Sequence, residues 1–330
     1  MDKKTLILTN SQVQRLVDMP SVLKVIENAF ILYGKKLVQM PAKIYLHLDK
    51  YAGDFRAMPA YIEGMDACGL KWVNVHPENR RFGLPAVMAI IILNDPKTGF
   101  PLCVMDATLI TNLRTGAAGA VAAKYLARED SSIVGLVGCG AQARTQLLAL
   151  KELFRIKLVY VWGSKLEYAR KFLKDTKRFG LNTVIKDKIS DCTKQADIVV
   201  TTTPARKPIV ESEWVRDGTH INAIGADAKG KEELKPQLLK RAKIVVDDWQ
   251  QASHSGEINV PLSKGIITKK NIYATLGEVL IGKKKGRVSQ KEITIFDSTG
   301  LAIQDVAVAN LVYKRALKNK LGLWVGILTQ

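Results

Sequence analysis

Apolar residues recur along the chain with two different periods, and the changes of period divide it. Near the start Val13, Leu16 and Val17, then Val22, Val25, Ile26, Ala29 and Phe30, repeat every three to four residues, the spacing that lines one face of a helix. Thr9–Ser11 offers an N-cap for the first of these helices, and Gly34 ends the second. From Pro41 the period falls to two. Lys43–Leu48, Asp54–Ile62, Gly69–His76, Ala86–Leu93 and Pro101–Met105 read as strands joined by short turns, which predicts an antiparallel meander. Asp106–Arg128 is helical again and contains a run of small residues, Gly116–Ala123, that permits close backbone packing.

Beyond Ile133 short apolar strands alternate with helices. The strands are Ile133–Val137, Leu158–Trp162, Thr183–Ile185, Ile198–Thr203, His220–Ile224, Lys243–Asp247 and Ile293–Phe296. The fold class is therefore α/β: a Rossmann-type doubly wound parallel sheet plus a second, α+β unit. In such sheets ligands lie beyond the carboxyl ends of the strands. Those ends hold Thr203, Gly225-Ala226-Asp227 and Ser298-Thr299, the expected cofactor and substrate contacts.

The first of these strands runs into Gly138, Gly140 and Ala143, spaced G-x-G-x-x-A, and then into a helix. Gly138 allows the tight turn, Gly140 lets a phosphate approach the backbone, and Ala143 lets helix and strand pack closely. The helix N-terminus directs free N–H groups at a pyrophosphate. The second strand ends in Gly163-Ser164-Lys165, with no acidic residue before Glu167 to accept a ribose 2′-hydroxyl. A hydroxyl and an ammonium suit a 2′-phosphate, which favours NADP over NAD; a solvated Lys165 would serve either cofactor.

Composition changes this picture little. The 330 residues, 47% of them hydrophobic, carry a net charge of +19. That charge invites a nucleic-acid reading, but the lysines are spread along the chain without a nucleic-acid-binding motif. Lys283–Lys285 with Arg287 is the one tight cluster, bracketed by glycines like a surface loop. A Lys-rich enzyme surface that attracts anionic ligands is expected instead, with no nucleic acid as partner. The absence of a long apolar run or signal peptide makes a cytoplasmic protein without membrane contact the expectation. Cys68, Cys103, Cys139 and Cys192 are dispersed and read as reduced thiols. No pair of the four histidines has metal-ligand spacing, so no metal site is expected.

Three cations interrupt the meander. Lys43, Arg56 and Lys71 each sit inside an otherwise apolar strand. A single lysine so placed more often faces solvent. Three in successive strands would instead converge and bind a carboxylate, the arginine offering a bidentate fork. A lysine among other cations has a lowered pKa, which suits acid–base chemistry. Arg114, just before the small-residue run, is either a capping arginine or an anion contact.

The stretches Arg56–Ala60, Gly69–Asn74, Leu113–Ala118, Gly138–Ala143, Thr201–Pro204, His220–Asp227 and Phe296–Asp305 stand in register along the chain. With them the sequence resembles the ornithine cyclodeaminase/μ-crystallin family over nearly its whole length, and within it the archaeal alanine dehydrogenases. The resemblance implies a substrate-binding and dimerisation domain of residues 1–113 with 303–330, and a Rossmann dinucleotide-binding domain of residues 114–302. It also implies an active site in the cleft between them, and a homodimer. It assigns proton transfer to Lys71 and to Asp227 opposite it. The substrate carboxylate falls to Lys43, Arg56 and Arg114, and the pyrophosphate to Ala141 and Gln142, with Arg114 also reaching the cofactor. The implied reaction deaminates L-alanine, or a similar small L-amino acid, to a 2-oxo acid and ammonia, with NAD or NADP as hydride acceptor. Ornithine cyclodeamination and ketimine reduction are the alternatives. Cyclodeaminases carry an acidic residue where this chain has Arg56, which argues against the first.

Overall fold

The period-two stretches do become a meander. In the computed structural model, which describes residues 4–328, strands β1 (Thr5–Leu8), β2 (Val38–Gln39), β3 (Ile44–Leu48), β4 (Gly53–Ile62), β5 (Ala67–Val75), β6 (Val87–Asn94) and β7 (Pro101–Asp106) belong to one sheet. β4 to β7 run antiparallel in chain order, and β2 and β3 both pair with β4. Helices α1 (Asn10–Leu16) and α2 (Met19–Gly34) precede the meander, and Thr9 caps the first.

β5 shows how this sheet is built. Ala67, Gly69, Lys71 and Val73 are buried, whereas Leu70 and Trp72 between them are not. The buried face lies against the C-terminal helix, Ala302–Lys318, which packs on β4, β5 and β6 and on α2. The other face stays apolar: Trp72 stacks on Phe55 with ring centroids 5.2 Å apart and pairs across the ladder with Ile90, and Ile44 and Leu46 are exposed nearby in β3.

The second sheet is wholly parallel and comprises β8 (Ile133–Val137), β9 (Leu158–Trp162), β10 (Thr183–Ile185), β11 (Ile198–Thr201), β12 (His220–Ala223), β13 (Lys243–Val246), β14 (Ile272–Thr275) and β15 (Thr294–Asp297). Its order is β10-β9-β8-β11-β12-β15-β13-β14, so the winding reverses between β8 and β11. Ligands of doubly wound sheets bind at this reversal. The helical stretch read at residues 106–128 is the single helix α3 (Thr108–Leu126). Its Gly116 and Gly119 have no room for a Cβ, because the Thr145 carbonyl and the Gln146 side chain of α4 (Ala141–Leu153) fill the space.

Four strands escape a reading by period, among them the two-residue β2. β1 joins β7 in parallel, and β16 (Leu323–Val325) pairs antiparallel with β1. These two, and β14, are too short to show an alternation. By contacts the chain forms two compact units: one runs to Arg114 and resumes at Leu301, and the other is Thr115–Gly300.

Among the described residues the four cysteines are free thiols, no helix is long and apolar enough to cross a membrane, and no group of His, Cys, Asp or Glu could hold a metal ion. Lys283–Lys285 are exposed as read, and Arg287 lies in the same loop but is half-buried. Its Nε donates to the Leu126 carbonyl at 2.7 Å and its Nη1 to that of Glu292 at 2.6 Å, pinning the loop.

Candidate active site

In the first unit, alternation along β5 turns Lys71 inward, where its side chain is 1% exposed. A buried ammonium requires a partner. The C-terminal helix supplies one from its first turn: Asp305 Oδ2 lies 2.8 Å from Lys71 Nζ, and Oδ1 accepts from Arg114 Nε at 3.0 Å. Arg114 Nη1 also donates to Gln304 Oε1 at 2.7 Å, which leaves Gln304 Nε2 a buried donor without a partner. One carboxylate thus bridges two cations in a dry site. Burial lowers the Lys71 pKa from 10.5 to about 7; Asp305 opposes the shift, and Arg114 and Lys43 reinforce it. The lysine therefore changes charge near neutrality, the range in which an acid–base group works in both directions.

Of the other cations of the meander, Arg56 stands on β4 opposite Val73, two residues along from Met58, which pairs with Lys71. Arg56 is buried, its Nε donating to Asp54 Oδ1 at 2.7 Å and its guanidinium lying over the Tyr45 ring at 5.2 Å. Lys43, half-buried, is near enough to act on the Lys71 charge. Lys43, Arg56, Lys71 and Arg114 thus share the first unit, with Lys71, Arg114 and Asp305 in direct contact. Asp305 is the residue that reasoning from the sequence missed. Gln304-Asp305 is a polar pair inside the apolar run Ala302–Val308, and that interruption is the signal that it faces something charged.

In the second unit Gly138 ends β8 with a φ of +112°, a conformation for which glycine is suited. A Cβ there would meet Thr202 Oγ1 at 2.6 Å, so the glycine turn lies against the end of β11, at the reversal of the winding. Gly140 is the N-cap of α4, which has neither a side-chain cap nor an acidic residue in its first turn, and a Cβ on Gly140 would project into open space. Ala141 and Gln142 form that first turn. Gly163 packs against Cys139, whose Sγ would lie 2.6 Å from a Cβ, so the loop after β9 closes on the glycine turn. Ser164 and Lys165 in that loop are exposed, and Lys165 Nζ is 4.0 Å from Glu167.

At the other strand ends, Thr203 and Gly225 are half-buried and Ala226 is buried. Asp227 pairs with Lys231 Nζ at 2.6 Å. Thr299 donates from N and Oγ1 to the buried Asp247, at 2.6 and 3.0 Å. The Thr202 and Ser298 hydroxyls are buried without a hydrogen-bond partner. Unfilled donors at the carboxyl edge, an uncapped helix and an open space above Gly140 fit a dinucleotide. The histidines contribute nothing comparable. His220 is buried between Thr294 and Asn222, and burial lowers its pKa to about 3, so it is a neutral core residue.

The model of the ornithine cyclodeaminase/mu-crystallin family matches residues 3–320. The chain belongs to that family. It is 54% identical over 319 residues to the alanine dehydrogenase of Archaeoglobus fulgidus, covering 97% of both chains. Two solved structures superpose closely on it. An archaeal alanine dehydrogenase dimer with bound NAD is 53% identical, with a TM-score of 0.95, over 99% of this chain and 100% of that one. The Δ1-pyrroline-2-carboxylate reductase of Thermococcus litoralis, in complex with NADH and L-proline, is 40% identical with the same TM-score, over 97% of this chain and 100% of that one.

Proposed function

We propose that the protein is an amino-acid dehydrogenase that oxidatively deaminates L-alanine, or a similarly small L-amino acid, to the 2-oxo acid and ammonia, and catalyses the reverse reductive amination. The observation that carries this reading is Lys71: fully buried, ion-paired to Asp305, and poised near neutrality among further cations. A group that exchanges a proton at neutral pH beside a positive field suits a substrate with an amine and a carboxylate on one carbon. Lys43, Arg56 and Arg114 supply the field for the carboxylate. When bound, a nicotinamide dinucleotide supplies the hydride acceptor. Neutral Lys71 takes the proton from the substrate ammonium, so that the amine lone pair can assist loss of hydride from Cα. With Lys71 now protonated, Asp227 takes a proton from the water that adds to the substrate imine, and Lys71 gives its own proton to the departing ammonia. Asp227 is the second carboxylate we assign to proton transfer.

The dinucleotide cradle at Gly138–Gln142 suits NAD(H), which both solved relatives hold, and the Ser164-Lys165 loop also accommodates the 2′-phosphate of NADP(H). Reversing the charge in Lys165→Asp is expected to lower the affinity for NADPH relative to NADH about tenfold, roughly 1.4 kcal/mol. Binding titrations with both cofactors check this, and an unchanged ratio removes Lys165 from cofactor selection. We further propose that a second copy covers the apolar outer face of β3–β6, giving a homodimer, and that the protein works in the cytoplasm, where its free thiols are suited to a reducing environment.

The deciding assay gives the purified protein L-alanine with NAD or NADP, then L-ornithine, and follows reduced nicotinamide and ammonia together. Both rising in step with alanine is the expected result. Ammonia from ornithine without reduced nicotinamide would make it a cyclodeaminase. Oxidation of NADH by Δ1-pyrroline-2-carboxylate, with no reaction of alanine, would make it an imine reductase, the reading that the 40% identical relative favours.

A further inference from the structure

Glu233 takes no part in the chemistry above, yet both of its carboxylate oxygens accept hydrogen bonds in the interior of the second unit. It lies in the segment after β12 and is wholly buried. Its Oε1 accepts from Thr203 N at 2.6 Å and from Thr203 Oγ1 at 2.7 Å, and its Oε2 accepts from Gly225 N at 3.0 Å. Thr203 follows the end of β11 and Gly225 the end of β12. One carboxylate therefore ties together two adjacent loops on the ligand edge of the sheet. The first of them is continuous with Thr202, against which the glycine turn at Gly138 is packed.

The carboxylate is itself held in place. The Glu233 carbonyl accepts from Ile209 N at 2.8 Å and Val210 N at 3.0 Å. Its N–H and that of Leu234 donate to Glu257 Oε1 at 2.9 and 2.7 Å. Glu257 N in turn donates to Asp297 Oδ1 at 2.9 Å, at the end of β15. Three buried acids thus fix successive segments of backbone along the carboxyl edge, from β15 to β11. The same arrangement explains Gly225, since a Cβ there would lie 2.5 Å from Glu233 Oε2.

We propose that Glu233 is the positioning residue of the dinucleotide site, holding the loops after β11 and β12 in the spacing that receives the cofactor. It touches no reacting atom; it acts through Thr203 and Gly225. A carboxylate is suited to this because both of its oxygens accept. Glutamine has the same shape but would turn an N–H₂ toward either the Thr203 or the Gly225 N–H, two donors facing each other in a buried site.

This inference rests on the dinucleotide reading above, and one experiment separates the two. NADH binding to the full-length protein is titrated by nicotinamide fluorescence for the natural chain and for Glu233→Gln, with thermal melting and steady-state kinetics alongside. Glu233→Gln is expected to raise the Kd for NADH about tenfold, and the KM for NAD with it. Its kcat at saturating NAD should stay within about threefold of the natural value, a split that general loosening of the fold would not give. Glu233→Asp keeps the charge but is one methylene too short to reach both loops. It should raise Kd about threefold, and it carries the test if the glutamine variant does not fold. Unchanged NADH affinity in a folded variant, or a loss confined to kcat, overturns the proposal. A natural chain that binds neither NADH nor NADPH overturns instead the reading on which it rests.

Discussion

Replacing Lys71 by methionine is expected to lower kcat for L-alanine by about 10³-fold, the scale of losing a positioned acid–base group, while the Kd for NADH stays within about twofold. Methionine fills most of the volume of the lysine stem and removes only its ammonium. Asp305 keeps its bond to Arg114 at 3.0 Å, so the substitution leaves no buried carboxylate without a cation, and the fold should persist. Fluorescence titration with NADH and steady-state rates with alanine make the measurement. Near-normal turnover would remove Lys71 from the mechanism and with it the observation on which the proposed activity stands.

Asp305→Asn carries the second large effect, and it acts in two ways. Removing the one carboxylate between Lys71 and Arg114 leaves the buried Arg114 guanidinium without its counter-charge. Breaking a buried pair in this manner costs about 3–5 kcal/mol, so denaturant midpoints should fall clearly. The pH dependence should move as well. Oxidation of the amino acid needs neutral Lys71, so kcat for the natural protein should rise as pH passes through about 7. Asp305 stabilises the protonated lysine and holds its pKa up against burial. Without it the pKa falls further, and the rising limb of the kcat profile shifts to lower pH. A limb that stays in place, or moves upward, would show that another group controls it.

Where the sequence was legible, a physical pattern repeated often enough to be read. The strands of the meander and most of those in the parallel sheet follow from period-two alternation or short apolar runs, and the glycine turn follows from φ requirements at Gly138. What remained hidden depended on partners distant in the chain. β1 and β16 are recognisable only once each has the other beside it. Lys71 reads as a solvated lysine until the strand faces are assigned, because Trp72 and Leu70 make its other neighbours look like core. Asp305 lies more than two hundred residues from Lys71, and nothing local announces their pairing. Glu233 is harder still: in Lys231-Glu232-Glu233 it resembles any charged surface segment, and only the fold shows that both acids are buried.

Along β5 the parity of a residue's position decides its environment. Lys71 and Trp72 are neighbours in the chain but belong to opposite faces, one against the C-terminal helix and the other outward beside Phe55. Adding one residue within Ala67–Lys71 would exchange their faces, sending the lysine outward, turning the indole inward at the place of Val73, and setting Leu70 where Lys71 meets Asp305. The strand has little slack with which to bulge, since a Cβ on Gly69 would already lie 2.6 Å from the Ile92 carbonyl. The turn at residues 63–66 is different. Its Asp66 already adopts the left-handed conformation, and a longer turn can absorb an extra residue without changing the odd–even count that follows. A single glycine inserted after Gly69 should therefore abolish activity and lower the melting temperature, whereas the same glycine inserted after Gly64 should leave most of both intact.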